Sequence, residues 1–181
     1  EITPEEFEEK KGRLKKQLPI LTPHATFRNG RRLNADAVPS GLSMYDLDHI
    51  PDPEGRWREI EPRKDELRIV MAHITPSAEG LRLIFIIPQG MNLAQAQRWM
   101  AELLGDQKYD ECVKDYARCS FIVPRDYMLY INEADLFKER EVAPSNVCRV
   151  SQEQQPSEPN KQEMPHFKRE LEYPELVSIL E

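Results

Sequence analysis

Asp46 and Asp48 are the side chains whose type and spacing best suit chemistry. They close the run Ser40-Gly41-Leu42-Ser43-Met44-Tyr45-Asp46-Leu47-Asp48-His49-Ile50. An apolar stretch of this kind reads as a strand, in which successive side chains point to opposite faces. Asp46 and Asp48 then share a face with Leu42 and Met44, while Tyr45 and Leu47 point the other way. That face is core-like at its start and anionic at its end. Two carboxylates so close repel each other unless a cation neutralises them or one takes up a proton. Hard oxygen donors suit Mg²⁺ or Mn²⁺. The competing reading is a strand that simply ends in a solvated turn. His49 should face away from Asp48, which favours packing, or support of a neighbouring ligand, over ligation itself.

The elements that must position this pair are legible on both sides. Thr3-Pro4-Glu5-Glu6 is a capping box with Pro at the first helical position, predicting a helix from Pro4 to about Leu18. Asn29-Gly30 signals a hairpin turn, and Arg31 and Arg32 follow it. Asp52-Pro53-Glu54 opens a helix through Trp57 and Ile60 that Pro62 interrupts. Residues 67–74 and 81–88 read as buried strands joined by Thr75-Pro76-Ser77-Ala78-Glu79-Gly80. Asn92 caps an amphipathic helix that Gly105 stops. Residues 117–123 and 127–131 read as a further strand pair, and 133–140 as a short helix. Trp57 and Trp99, at amphipathic spacing, read as core.

Composition bounds the rest. The chain has 181 residues, enough for one domain plus an appendage, and 31% charged residues with 15 Pro imply that part is not packed. The expected division is a domain over 1–142, a Pro/Gln/Glu-rich linker over 143–165 and, over 166–181, a docking helix or the start of a following helical domain. A first residue of Glu rather than Met reads as a segment of a longer protein. Cys112, Cys119 and Cys148 show no C-x-x-C spacing, which argues for reduced thiols in a cytoplasm and against zinc. No run approaches the ~20 apolar residues of a membrane helix, so no membrane partner is expected. Of the net charge of −7, a large share lies in 151–181, which holds 7 of the 32 acidic and 3 of the 25 basic side chains. The remainder is near balance and can carry a local basic patch.

Three blocks together resemble one family: Val38 to Ile50, Thr75 to Phe85 and Tyr109 to Phe121. This is the N-terminal domain of VirE-type mobile-element proteins of Bacteroidetes, a branch of the archaeo-eukaryotic primase (primase-polymerase) superfamily. The likeness spans roughly residues 18–138. It implies an α+β fold, a mixed β-sheet with flanking helices and an acidic cluster on one sheet face. It also implies a site built from a D-x-D, a small-x-His and a third carboxylate. Asp46 and Asp48 match the first motif. Asp110 matches the third, with Asp115 and Asp106 as rivals nearby. Gly80-Leu81-Arg82 stands where the middle motif belongs, so Arg82 replaces its His. Arg can grip a triphosphate oxygen bidentately but cannot act as a neutral acceptor.

The resemblance implies metal-dependent nucleotidyl transfer, with Asp46, Asp48 and Asp110 as catalytic metal ligands for Mg²⁺ or Mn²⁺. Arg82 and Arg118 would contact the triphosphate, assisted by Ser77 and the Gly80 backbone. Arg31 and Arg32 would grip template phosphate, although an Arg pair on a turn is also commonly just solvated. Implied partners are nucleoside triphosphates, a single-stranded DNA template and a C-terminal helical or helicase domain of the same protein. The alternative is a primase-like domain that has lost turnover and binds nucleic acid or a partner protein, which the Arg82 departure and the acidic charge both motivate. A relaxase would need a His-x-His strand, and none is present.

Overall fold

Local sequence signals place each element in the computed structural model, which describes residues 3–15, 17–106 and 115–140. The order is α1 (Pro4–Lys15), β1 (Ile20–Leu21), β2 (Ala25–Phe27), β3 (Ala37–Pro39), β4 (Leu42–Asp48), α2 (Pro53–Ile60), β5 (Ile69–Ile74), β6 (Gly80–Ile86), α3 (Leu93–Leu104), β7 (Ser120–Phe121), β8 (Met128–Ile131) and α4 (Glu133–Leu136). At α1 the Thr3 hydroxyl accepts from the Glu6 N–H at 3.2 Å, while the Glu6 carboxylate accepts from the Thr3 N–H at 2.8 Å. The Asp52 side chain caps α2, and a 3₁₀ turn over Glu61–Arg63 follows it at Pro62. At α3 a capping box joins Asn92 and Gln95, and Gly105 ends the helix at φ 66°. A side chain with a Cβ would resist that left-handed conformation.

The fold is α+β, and its centre is a four-stranded sheet in the order β4-β6-β5-β8. The expected mixed sheet is antiparallel in every described pairing. The physical reason is connectivity. A tight hairpin over residues 75–79 joins β5 to β6, and antiparallel strands need no crossover helix.

Both faces of the sheet are covered. Tyr45, Leu47, Leu81, Leu83 and Phe85 face α2 and α3 and bury Trp57, Ile60, Ala96 and Met100. Trp57 stacks on Tyr130 at 5.7 Å between ring centroids, and Trp99 meets Phe85 at 5.9 Å, so both tryptophans are core. On the opposite face Leu42, Met44, Met71 and Ile84 pack with Leu136. Leu21 of β1 also packs there, and two small pairings, β2 with β3 and β1 with β7, complete the described strands.

Three local expectations change. The β2–β3 hairpin exists, but its connection runs over residues 28–36, with Gly30 at φ 64° as one bend within it. β7 pairs with β1 and β8 with β5, so 117–123 and 127–131 are not partners of each other. His49 is exposed at φ 56° rather than packed, because the chain leaves the sheet there in a left-handed turn. The described residues belong to one compact unit, Glu1–Val147. The linker and the terminal segment of the expected division lie outside the described residues.

Candidate functional site

The sheet face that carries Leu42, Met44 and Ile84 turns polar at one end. Register aligns Asp46 on β4 with Arg82 on β6, and Arg82 with His73 on β5. These three side chains therefore form one row across adjacent strands, because partners in register share a face. Arg82 Nε and Nη2 donate to the two oxygens of Asp46, the second at 2.9 Å. A bidentate fork of this kind is the strongest geometry available to an Arg–carboxylate pair. Arg118, from the segment that covers the row, donates through Nη2 to Asp46 Oδ2 at 3.1 Å. The side chains of Asp46 and Arg82 are 11% and 13% exposed and that of Arg118 is 31% exposed. One carboxylate thus faces two guanidiniums.

Arg82 is braced from behind. Its Nη1 donates to Ser120 Oγ at 2.9 Å, and Ser120 lies 3.2 Å from His73 Nε2. His73 Nδ1 sits 2.8 Å from the Ile74 carbonyl, so it carries the proton and Nε2 accepts the Ser120 hydroxyl proton. Burial, reinforced by the Arg82 charge, pushes the His73 pKa below its ordinary value. The imidazole is neutral, and the chain from the Ile74 carbonyl through His73 and Ser120 to Arg82 is fully satisfied.

A second buried histidine secures the strand that carries Asp46. β4 is an edge strand, and its outward Met44 N–H donates to His24 Nε2 at 3.0 Å. His24 Nδ1 therefore holds the proton and donates to the Asp115 carbonyl at 3.0 Å. Burial is the main cause pushing the His24 pKa down, and the Arg118 charge adds to it. The Met44 carbonyl accepts from Gln97 Nε2 at 2.8 Å. At Met44, side chains thus occupy backbone groups that an open sheet edge would present to another strand.

The remaining expected residues fall at different distances from this centre. Asp48 lies on the same face at the exposed end of β4. Ser77 is exposed in the β5–β6 loop, with its hydroxyl 3.0 Å from Thr75 Oγ1. Gly80 has a packing reason to be glycine, since a Cβ there would stand 2.9 Å from Thr75 Oγ1 and 3.1 Å from the Leu47 carbonyl. Arg31 is exposed. Arg32 is exposed too, but its Nη1 donates to the Ala117 carbonyl at 2.6 Å, which ties the 28–36 connection beside Arg118. Asn34 adds a second tie by accepting from the Ala117 N–H at 3.0 Å. Asp110 lies outside the described residues, as do Lys114 and Cys112. Asp106 accepts from the Tyr45 hydroxyl at 2.7 Å, and Tyr45 belongs to the face opposite Asp46. The Asp115 carboxylate accepts the Ala117 N–H at 2.8 Å in a local turn.

Asp46 and Asp48 are hard oxygen donors on one face, but both oxygens of Asp46 accept from guanidinium, so a cation there would meet two fixed positive charges. Among the described residues no group of three or more His, Cys, Asp or Glu is arranged to hold a metal ion.

Sequence reasoning passed over Ser120, His73 and His24. Two of the three carried a signal: Ser120 lies two residues from Arg118, and His73 is the one ionisable side chain within Ile69–Ile74.

The family model for the BT4734-like N-terminal domain matches residues 13–123. This chain belongs to that family. The matched region of the BT4734-like domain begins within α1 and ends just past β7, so it contains Asp46, Asp48, Arg82, His73, Arg118 and Ser120. No curated protein and no solved structure matches the chain. No helix among the described residues is long and apolar enough to cross a membrane.

Proposed function

We propose that this BT4734-like domain is a primase-polymerase-type nucleotidyltransferase of a VirE-like mobile-element replication protein, working in the cytoplasm on a single-stranded DNA template. The observation that carries the reading is the convergence of Arg82 and Arg118 on Asp46, at the end of a sheet face that also bears Asp48. Nucleotidyl transfer needs carboxylates for a divalent cation and fixed positive charge for a triphosphate, side by side. Asp46 and Asp48, with Asp110, would hold Mg²⁺ or Mn²⁺. The bound cation would activate a 3′-hydroxyl and stabilise the leaving pyrophosphate. Arg82 and Arg118, both paired with Asp46, would supply the positive charge that phosphate oxygens need. Arg32, tied beside Arg118, and Arg31 extend the positive charge toward a template strand, and a C-terminal helical or helicase domain would be the neighbour in the same protein.

The test is incorporation of nucleotides on single-stranded DNA with Mn²⁺, comparing the intact chain with the Asp46→Ala/Asp48→Ala double variant. Incorporation abolished by the double substitution is expected. Equal incorporation by both proteins would exclude these carboxylates from the chemistry.

One observation favours a second reading. Two guanidiniums neutralise Asp46, which suits a domain that has lost turnover and binds nucleic acid or a partner protein. That domain would bind single-stranded DNA unchanged by the double substitution and incorporate nothing.

A further inference from the structure

The chain carries a net charge of −7, yet the β2–β3 connection, Arg28-Asn29-Gly30-Arg31-Arg32-Leu33-Asn34-Ala35-Asp36, holds three arginines against one carboxylate. We infer that this connection is a metal-independent anchor for single-stranded nucleic acid. In it Arg28, Arg31 and Arg32 hold backbone phosphates, and Asn34 sets the position of the loop. The inference deepens the nucleotidyltransferase reading, from which it takes a single strand as the partner. It gives that strand a grip separate from Asp46 and Asp48.

Three observations carry it. First, the positive charge of the loop is uncommitted. Arg28, Arg31 and Arg32 are exposed, and among the described residues no carboxylate pairs with any of them, whereas Arg56, Arg63, Arg82 and Arg118 each have one. The loop's own carboxylate, Asp36, accepts instead from Asn29 Nδ2 at 2.8 Å. Arg32 donates to the Ala117 carbonyl, which neutralises none of its charge. Second, the loop is built in advance. The Asp36 carbonyl accepts the Arg28 N–H at 3.1 Å, and the Leu33 carbonyl accepts the Asp36 N–H at 3.0 Å. Arg32 and Asn34 tie both backbone groups of Ala117, so little ordering entropy is lost on binding. Third, Leu33 follows the arginine pair and is 53% exposed, an apolar contact for a base or sugar beside the phosphate grips. Guanidinium forks suit phosphate oxygens, and an acidic chain attracts a polyanion only where its local charge is positive. Arginines beside an exposed leucine match a strand that alternates phosphate and base better than an acidic peptide.

Anisotropy of a labelled oligothymidylate, in EDTA and without nucleotide, reads the anchor on the full chain across a salt series. Three phosphate contacts predict a log–log salt slope of about −2 for a single strand. Arg28→Gln/Arg31→Gln should lose on the order of tenfold in affinity at low salt and bring the slope to about −0.7. Asn34→Ala should weaken binding severalfold with the slope unchanged, because it loosens the loop without removing a charge. Arg58→Gln removes an arginine from α2 whose side chain is 70% exposed, and should bind like the intact chain. Circular dichroism reports whether each variant is folded.

No binding by the intact chain at ~100 µM, equal binding by Arg28→Gln/Arg31→Gln, or an equal loss in Arg58→Gln overturns the anchor. Polyglutamate competing as well as unlabelled oligothymidylate overturns it in favour of an acidic peptide, and full affinity in Asn34→Ala overturns the positioning role. Incorporation that needs Asp46 and Asp48, in a chain whose binding does not need Arg28 and Arg31, overturns the anchor and leaves the nucleotidyltransferase reading standing. Arginine-dependent binding by a chain that incorporates nothing supports the anchor and overturns that reading.

Discussion

Replacing His24 by Phe tests how the strand that carries Asp46 is held. The ring is fully buried, its Nε2 accepts the Met44 N–H and its Nδ1–H donates to the Asp115 carbonyl. Phe fills similar volume and removes both bonds. One buried N–H without an acceptor costs about 1–3 kcal/mol, and the Asp115 carbonyl adds little where water reaches it. A net loss of about 2 kcal/mol is expected, which lowers the melting midpoint of a unit this size by about 4–8 °C.

The substitution also changes the pH profile of stability. Burial lowers the folded pKa of both His24 and His73, while the unfolded chain titrates near ~6.5. As pH falls below ~6.5 the unfolded state takes up these protons first, so stability is full above that value and is lost toward the lowered folded pKa values. Each group contributes a slope of at most about 1.4 kcal/mol per pH unit. Chemical denaturation at pH 7.5, 6.5 and 5.5 measures both effects. His24→Phe should start lower and fall less steeply. An unchanged midpoint with an unchanged slope would refute the buried, neutral, accepting role given to His24.

Three further substitutions probe the frame around the site. Gly80→Ala forces a Cβ to 2.9 Å from Thr75 Oγ1 and 3.1 Å from the Leu47 carbonyl, and should cost about 1–3 kcal/mol in denaturant unfolding. A neutral result would show that the hairpin relaxes without penalty. Trp57→Ala removes a ring that is 4% exposed and stacked on Tyr130, for an expected loss of about 3–5 kcal/mol by the same assay. Ser120→Ala takes away the Arg82 brace and leaves His73 Nε2 without a donor, at an expected cost of about 1–3 kcal/mol. Unchanged stability would show that Arg82 does not need the brace.

Much of this architecture was legible because local chemistry dictated it. Thr3 with Glu6, Asp52 with Pro53, and Asn92 with Gly105 mark helix ends by satisfying or terminating backbone hydrogen bonds, and each mark holds in the structure. The alternation that put Asp46 and Asp48 on one face of a strand holds for the same reason.

What escaped depends on pairing between distant residues. Ile20 lies opposite Phe121, and Asp46 lies opposite Arg82, through registers that no local pattern encodes. Treating Asp46 and Arg82 as separate ligands for cation and phosphate therefore overlooked that they bind each other. His24 and His73 escaped because a buried neutral imidazole is chosen by tertiary hydrogen bonds rather than by sequence period. His49, beside the acidic pair, drew attention for its neighbours and lies exposed on a left-handed turn.

The most direct test of the proposed nucleotidyltransferase site is Mn²⁺ binding by calorimetry, with and without a nucleoside triphosphate, on the intact chain and on Asp46→Ala/Asp48→Ala. Mn²⁺ binding that a nucleotide enhances, and that the double substitution abolishes, is the expected result. Binding that survives loss of both carboxylates, or an intact chain that takes up neither Mn²⁺ nor nucleotide, would contradict it.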